Sequence, residues 1–196
     1  MADLPTNTVQ PETRAAWREW LKEHHTQDEG VWLILYKKAS GKQTYTFAEA
    51  GEEALCFGWI DSVPRKLDEK RSMLYFAPRQ AGSGWSRVNK KRIEKMRAAG
   101  RMTPAGEAKI EAAKKDGSWS ALDAVENLEI PPDLEAAFRT YEGSRPNFEA
   151  FPRSVKRGIL EWVLTAKRPE TRAGRVEETA RLAAENVRAN QWPRKK

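Results

Sequence analysis

Three short runs of strand-forming residues restrict the fold more than any other feature of this sequence. They are Val31–Tyr36, Trp59–Val63 and Met73–Phe76, and Pro78 ends the third. A polar turn at 68–71 separates the last two runs, so they are expected to pair as an antiparallel hairpin. The sequence therefore predicts a small antiparallel sheet, which needs helices to cover its apolar face.

Capping residues place the helices around this sheet. Thr46 and Glu49 form a capping box, which predicts that a helix begins there. Ser86 and Thr103 are placed to cap two further helices. The first helix of the chain is expected to begin near Pro11, because proline suits the first helical position.

The remainder of the chain is predicted to be helical. Two amphipathic stretches, 155–166 and 176–187, each carry an apolar stripe, and Pro169 is expected to begin the second helix. The preceding segment, 118–150, is acidic and is expected to link the two parts of the chain. A single helix is predicted in it, from about Pro132 to Tyr141.

Together these elements predict an α+β protein in two parts. A small α/β domain, in which helices cover the antiparallel sheet, is expected at 1–117. A helical C-terminal region, which includes the acidic linking segment, is expected at 118–196.

The net charge of +7 is distributed unevenly along the chain. Residues 61–120 contain 15 basic and 7 acidic side chains, residues 151–196 contain 12 and 5, and residues 121–150 contain 2 and 7. Two interpretations stay open. The blocks are solvated faces that balance one another, or the basic blocks form a surface for an anionic ligand or an acidic protein partner.

The sequence gives no sign of export. Its single cysteine cannot form an internal disulfide, so no oxidising compartment is indicated. The first residues lack the basic and apolar regions of a secretory signal, and the longest apolar runs are too short to cross a bilayer. The protein is therefore expected to be cytoplasmic, without membrane insertion.

No catalytic or cofactor-binding motif is present in the sequence. Phosphate-binding loops, nucleophile elbows and dinucleotide fingerprints are all missing. His24 and His25 are adjacent and diverge on a helix, so they cannot share a metal ion. Cys56 lies in an apolar helix end and is interpreted as a core residue. No catalytic residue is assigned, and no metal or cofactor is expected.

A binding site is predicted around Trp59, Asp61 and Arg79. Trp59 and Asp61 lie two residues apart on a strand and therefore share a face. A carboxylate on a covered face needs a partner, and Arg79 is the nearest candidate across the hairpin. The expectation is a salt bridge between Asp61 and Arg79, either direct or through a neighbouring polar side chain. The alternative is an ordinary core ion pair without function.

Three further residues are predicted to belong to this site: Trp85, Ser86 and Asn89. Ser86 lies at a helix N-terminus, where backbone N–H groups attract anions. Asn89 shares a helix face with apolar residues, so its amide is expected to be half-buried and hydrogen-bonded. The alternative is that Ser86 is only a cap and Asn89 only a satisfied buried amide.

A second basic cluster lies between the last two predicted helices. Lys167 and Arg168 end one helix, Arg172 lies just inside the next, and Arg175 lies one turn further. Together they are placed to hold a phosphate or carboxylate. The alternative is that the dipole of the first helix alone accounts for cations at its end.

The chain resembles the YdeI/OmpD-associated family. The residues that carry the resemblance are Ala54–Asp61, Ala77–Arg79, Trp85-Ser86 with Asn89, Gly100–Met102 with Gly106, and Ala166-Lys167 with Glu170–Arg172. The resemblance extends roughly from Trp17 to Val187. It implies a first part similar to YjbR/CyaY-type α/β domains, a role in bacteriocin protection and association with an outer-membrane porin. It assigns no catalytic residues.

The leading hypothesis is a cytoplasmic, non-enzymatic binding or stress-protection protein, with its cleft between the sheet and the C-terminal helices. A basic protein does not attract cationic peptides by long-range charge, so an indirect role fits better. One alternative is an enzyme that uses Asp61 as general acid or base and Arg79 to hold an anionic substrate. The other is nucleic-acid binding through a basic helix stripe at Arg87, Lys91 and Lys95, which Glu94 interrupts.

Overall fold

A computed structural model describes residues 5–191, and the chain forms two compact units, 1–120 and 121–196. The first four residues, on which the expectation about a secretory signal partly rests, lie outside the described residues, as do the last five. The predicted domains at 1–117 and 118–196 stay a prediction.

The first unit contains a four-stranded sheet formed by β1 (Thr8–Val9), β2 (Val31–Tyr36), β3 (Trp59–Lys66) and β4 (Arg71–Pro78). The strand order is β1-β2-β4-β3, with antiparallel pairing except between β1 and β2. The three predicted strands and the hairpin are confirmed. β1 was not predicted, because a strand of two residues gives no alternation pattern.

The helices of the first unit are α1 (Arg14–His24), α2 (Phe47–Cys56), α3 (Arg87–Ala98) and α4 (Pro104–Lys115). The predicted caps are confirmed, since Thr46, Ser86 and Thr103 each accept a backbone N–H at a helix start. The expectation that the first helix begins at Pro11 is wrong. Thr13 caps α1 by accepting the N–H of Ala16, which satisfies one of the unpaired donors at that helix end.

One face of the sheet forms the main core of the first unit. Leu33, Trp59 and Phe76 point to this face, have no exposed surface and pack with Trp17 of α1. The indole N–H of Trp59 donates to the carbonyl of His25 over 2.9 Å. Trp59 is therefore a core residue whose polar atom is already satisfied, and it does not line an open site.

A glycine allows α4 to approach α2 closely. A Cβ at Gly106 would lie 2.2 Å from the carbonyl oxygen of Cys56 and 2.7 Å from the carbonyl carbon. We expect Gly106→Ala to lower the free energy of unfolding by about 2–3 kcal/mol, because backbone must move to admit the methyl group. Urea denaturation of both proteins measures this difference.

The matched control is the same substitution at Gly174, a helical glycine of the second unit. Apart from the neighbouring backbone of its own helix, no described atom lies within 4 Å of a Cβ placed there. Gly174→Ala is expected to stabilise the protein by about 0.4–1 kcal/mol, because alanine restricts the unfolded chain. Equal effects of the two substitutions would contradict a close contact at Gly106.

The second unit contains helices and no strand among its described residues. Its helices are α5 (Asp123–Asn127), α6 (Pro132–Thr140), α7 (Ser144–Ala150), α8 (Arg153–Leu164) and α9 (Pro169–Ala184). The predicted helix at Pro132 and the predicted start of the last helix at Pro169 are confirmed. Between residues 5 and 191, no helix is both long and apolar enough to cross a bilayer.

The expectation that 118–150 is a linking segment with one helix is wrong. The segment contains α5, α6 and α7, and Leu134, Phe138 and Phe148 from it are buried in one core with residues of α8 and α9. Its acidic side chains lie mostly on the outer faces of these short helices, so a high density of charge coexists with a packed interior.

Candidate functional site

Arg79 is a buried cation at the end of β4. Only 4% of its surface is exposed, although arginine is rarely buried so completely without a charged partner. Its backbone N–H donates to the carbonyl of Gly58 and so continues the hairpin ladder by one residue. Its Nη1 donates to the carbonyl of Ser83 over 3.1 Å, to the Ser83 hydroxyl over 2.9 Å and to the carbonyl of Gly84 over 3.2 Å. These bonds fix the guanidinium.

The guanidinium of Arg79 also packs on an aromatic face. Its central carbon lies 3.6 Å from the centroid of the Trp85 ring, within the range of a cation–π contact. Trp85 is 1% exposed and packs in turn against Trp119, with ring centroids 5.1 Å apart. The aromatic support holds the plane of the guanidinium in one orientation.

The opposite edge of this guanidinium has no partner within the described part of the chain. Nε is buried without a hydrogen bond, and Nη2 has none to the described residues. Other arginines use the same pair of nitrogens to bind a carboxylate, for example Arg97 with Glu107 and Arg172 with Asp133. That edge carries two parallel N–H donors, the arrangement that binds a carboxylate or phosphate group at two points, although Nε itself is buried.

Arg79 borders a small cavity of about 80 Å³ between the loop that follows β4 and the C-terminal half of α4. Trp85, Ala112 and Ala113 form an apolar part of the wall, and Lys109 and Asp116 also line the cavity. A cavity of this volume has room for a few water molecules or for a small anion.

Burial is the main influence on the charge of Arg79. It lowers the pKa of the guanidinium to about 10, and the nearby negative charge of Asp61 offsets part of this effect. Arg79 remains protonated at neutral pH. A buried positive charge therefore persists without an ion-pair partner among residues 5–191.

The expected salt bridge between Asp61 and Arg79 is wrong. Asp61 lies opposite Phe76, whereas Arg79 lies opposite Gly58. The pairing between β3 and β4 is irregular between Asp61 and Pro64, so counting residues back from the turn gives the wrong partner. No hydrogen bond within the described part of the chain links the two through Ser86 or Asn89 either.

Asp61 lies instead near Arg92, beside α2. The guanidinium of Arg92 and a carboxylate oxygen of Asp61 both approach the space that a Cβ on Gly51 would occupy, at 3.2 Å and 3.7 Å. Arg92 also donates to the side-chain oxygen of Asn89 over 3.2 Å. The Asn89 side chain is therefore mostly buried and hydrogen-bonded. This agrees with the interpretation in which Asn89 is only a satisfied buried amide.

Comparison with protein families gives two matches. Residues 9–109, just over half of the chain, match the family described as a domain of unknown function (DUF8412). The chain belongs to this family. Residues 127–186 match the family described as Bacteriocin-protection, YdeI or OmpD-Associated. The resemblance expected from the sequence is thus confirmed over that part of the chain. No match was found among curated proteins or among solved structures.

The two matches divide the candidate residues. Trp59, Asp61, Arg79, Trp85, Ser86 and Asn89 lie in the DUF8412 segment, and Lys167, Arg168 and Arg172 lie in the YdeI/OmpD-associated segment. The motif residues from Ala54 to Gly106, on which the resemblance partly rested, lie outside the latter segment.

The basic cluster of the YdeI/OmpD-associated segment is partly neutralised. Arg172 grips Asp133 with two hydrogen bonds and also donates to the carbonyl of Val163 over 3.3 Å. Lys167 and Arg168 are exposed. Arg172 thus ties α9 to α6 and to the end of α8, which is a sufficient structural reason for its presence.

The basic stripe on α3 is also partly compensated. Lys95 pairs with Glu52, and Arg97, on a neighbouring row, pairs with Glu107. Internal pairing leaves fewer charges for phosphate contacts, which weakens the case for nucleic-acid binding by this helix.

One charged cluster was missed from the sequence. Glu53 on α2 is fully buried and accepts hydrogen bonds from Arg14 over 2.6 Å, from Arg18 over 2.7 Å and from Arg101 over 2.8 Å. Its neighbour Glu52 also pairs with Arg14. The signal was present in the basic pair at i and i+4 on α1, together with two acidic residues inside an apolar helix.

A larger cavity, of about 440 Å³, lies beside the end of β2. Its charged lining residues, Glu12 and Lys42, have opposite signs, and the Tyr45 hydroxyl already donates to the carbonyl of Pro11 over 3.2 Å. No unpartnered buried side-chain atom borders it within residues 5–191. The described residues also contain no cluster of three metal-ligating side chains. Arg101 also has a buried Nε without a hydrogen bond, but its Nη2 is paired with Glu53, so the Arg79 cavity is the candidate site.

Proposed function

We propose that the protein binds a small anionic ligand through Arg79 and acts as a binding protein. The observation that carries the proposal is the guanidinium of a residue that is only 4% exposed, which loop contacts fix on one side and which has no partner on the other side among residues 5–191. An anion in the adjacent cavity would first accept a hydrogen bond from Nη2 of Arg79. A second oxygen would reach Nε once this buried group is uncovered by a small movement of its surroundings.

The energetics support a ligand at this position. A buried charge without a counter-ion costs several kcal/mol, about 3–5 kcal/mol when it arises by loss of one member of a buried pair. The nearby charge of Asp61 offsets part of that cost, and a ligand that supplies a counter-ion removes the remainder only in the bound state. The unpaired guanidinium would thus increase the affinity for an anion, and its support by Trp85 would reduce the loss of side-chain entropy on binding.

The biological role we propose follows the family match. The description of the family matched by residues 127–186 names bacteriocin protection, which fits a role in resistance to stress. We place this role in the cytoplasm and make it indirect, since a net charge of +7 does not attract cationic peptides.

Calorimetric titration at constant ionic strength tests the binding step, with phosphate, sulfate, acetate and propionate as ligands. We expect at least one of them to bind the wild-type protein. Arg79→Met should weaken that binding about 10- to 100-fold, because a hydrogen bond to a charged group contributes about 1.5–3 kcal/mol. Arg79→Lys should lie between the two proteins, since lysine keeps the charge but not the paired donors.

The matched control is Arg139→Met, which removes an exposed guanidinium from α6. This variant should bind as the wild type does. Circular dichroism should show that Arg79→Met remains folded. Failure of all four anions to bind, or equal binding by wild type and Arg79→Met, would exclude Arg79 as the site.

A further inference from the structure

We propose that the Arg79 cavity selects a small monocarboxylate with a short apolar group over phosphate and other multiply charged anions. This inference rests on the proposed function, because both use the same guanidinium. It adds the chemical class of the ligand, which the unpartnered edge of Arg79 alone does not determine.

The charges that line the cavity favour a single negative charge. Arg79 and Lys109 are positive, and Asp116 is negative. Hydrogen bonds from the residues around it, first Ser118, keep the pKa of Asp116 below its ordinary value, so this carboxylate is ionised at neutral pH. One net positive charge remains on the lining, and Asp61, which does not line the cavity but acts on Arg79, adds further negative charge nearby, so the site accommodates at most a monoanion. A phosphate dianion would leave excess negative charge beside Asp116.

The position of Asp116 adds to this selection. It is the C-terminal cap of α4, where the helix dipole contributes partial negative charge. Asp116 is held there by hydrogen bonds from the backbone N–H of Ser118 over 2.8 Å and of Gly82 over 3.2 Å. Its carboxylate therefore faces the loop that also carries Arg79, and it cannot turn away from the cavity without losing these bonds.

The apolar wall favours a carboxylate that carries carbon. Trp85 and Ala113 are buried at this wall, and Ala112 lies beside them. A phosphate or sulfate would place oxygen atoms against these methyl and ring surfaces, where they would lose hydration without gaining hydrogen bonds. A short alkyl group would instead be removed from water there. The volume of about 80 Å³ limits that group to a few carbon atoms.

Titration of the full chain with acetate, propionate and inorganic phosphate at constant ionic strength tests this selection. Propionate should bind about fourfold more tightly than acetate, which is the ratio that corresponds to about 0.8 kcal/mol for one buried methylene. Phosphate should bind more weakly than either. Asp116→Asn should increase the affinity for phosphate more than the affinity for propionate, because it removes the like charge and keeps the side-chain shape.

A second variant tests the apolar wall. Ala112 is exposed on α4 and lines the cavity, so Ala112→Leu is expected to fold. The larger side chain should fill the space for the alkyl group and abolish the advantage of propionate over acetate. Tighter binding of phosphate than of propionate by the wild type would overturn the carboxylate assignment and leave anion binding intact. Absence of binding by all three ligands would overturn the selection proposed here, and absence of binding by sulfate as well would overturn the proposed function.

Discussion

Glu53→Gln is expected to lower the free energy of unfolding by about 3 kcal/mol, at the lower end of the range for breaking a buried ion pair. The substitution keeps the shape of the side chain but leaves Arg14, Arg18 and Arg101 without their shared carboxylate. These arginine side chains are 24–39% exposed, so water recovers part of the loss. Urea denaturation followed by circular dichroism measures the difference.

Glu94→Gln provides the control for this substitution. Glu94 is exposed on α3, and its substitution should change the free energy of unfolding by less than about 0.5 kcal/mol. Similar losses in the two variants would mean that the arginines around Glu53 contribute no more than an exposed charge does.

The stability of the wild type and of Glu53→Gln, measured as a function of pH, separates the effect of the Glu53 charge from the effect of its side-chain shape. Burial alone would raise the pKa of Glu53, but the hydrogen bonds from the arginines outweigh it and hold this pKa below its ordinary value of 4.5. A depressed pKa in the folded state contributes stability that is present above the ordinary value and lost as the pH falls through the folded-state value. The stability difference between wild type and Glu53→Gln should therefore shrink as the pH is lowered below 4.5.

Local signals in the sequence were sufficient for most secondary structure. The capping box of Thr46 and Glu49 and the Thr103 cap specify helix starts through contacts within one turn, and the structure contains both. Features that depend on distant partners were not predictable in the same way. β1 exists because Thr8 and Val9 pair with β2, more than twenty residues away. Two residues are too few to show the alternating pattern that predicts a strand.

Two residues of the candidate site could be picked out from the sequence, but the chemistry of the site could not. Arg79 and Trp85 stood out as polar and aromatic residues near a strand end, and the structure brings the two into contact. The partner assigned to Arg79 was wrong, because an irregular stretch of β3 shifts the register of the hairpin. The absence of a partner, which now carries the functional argument, is a property of three-dimensional packing, and residue spacing gives no access to it.

Phe148→Ala is expected to lower the free energy of unfolding of the second unit by about 3–5 kcal/mol, which is the usual cost of emptying a buried phenylalanine site. Phe148 is 1% exposed and packs against the rings of Phe138 and Phe151, with centroids 5.1 Å and 6.0 Å away. The residue lies in the acidic segment whose composition suggested a linker. A linker residue would contribute almost nothing to stability, so the size of the loss distinguishes the two assignments.

Two companion variants make this measurement specific. Phe148→Leu keeps most of the apolar volume and should lose less than Phe148→Ala, because the cavity left behind is smaller. Leu164 lies at the end of α8 and is 42% exposed. Leu164→Ala should therefore lower the free energy of unfolding by well under half as much as Phe148→Ala does. Urea denaturation of the full chain, followed by circular dichroism at a wavelength that reports on helix, compares the three. Equal and small losses in all of them would mean that the acidic segment does not belong to the core, and that the helices α6 and α7 form without supporting α8 and α9.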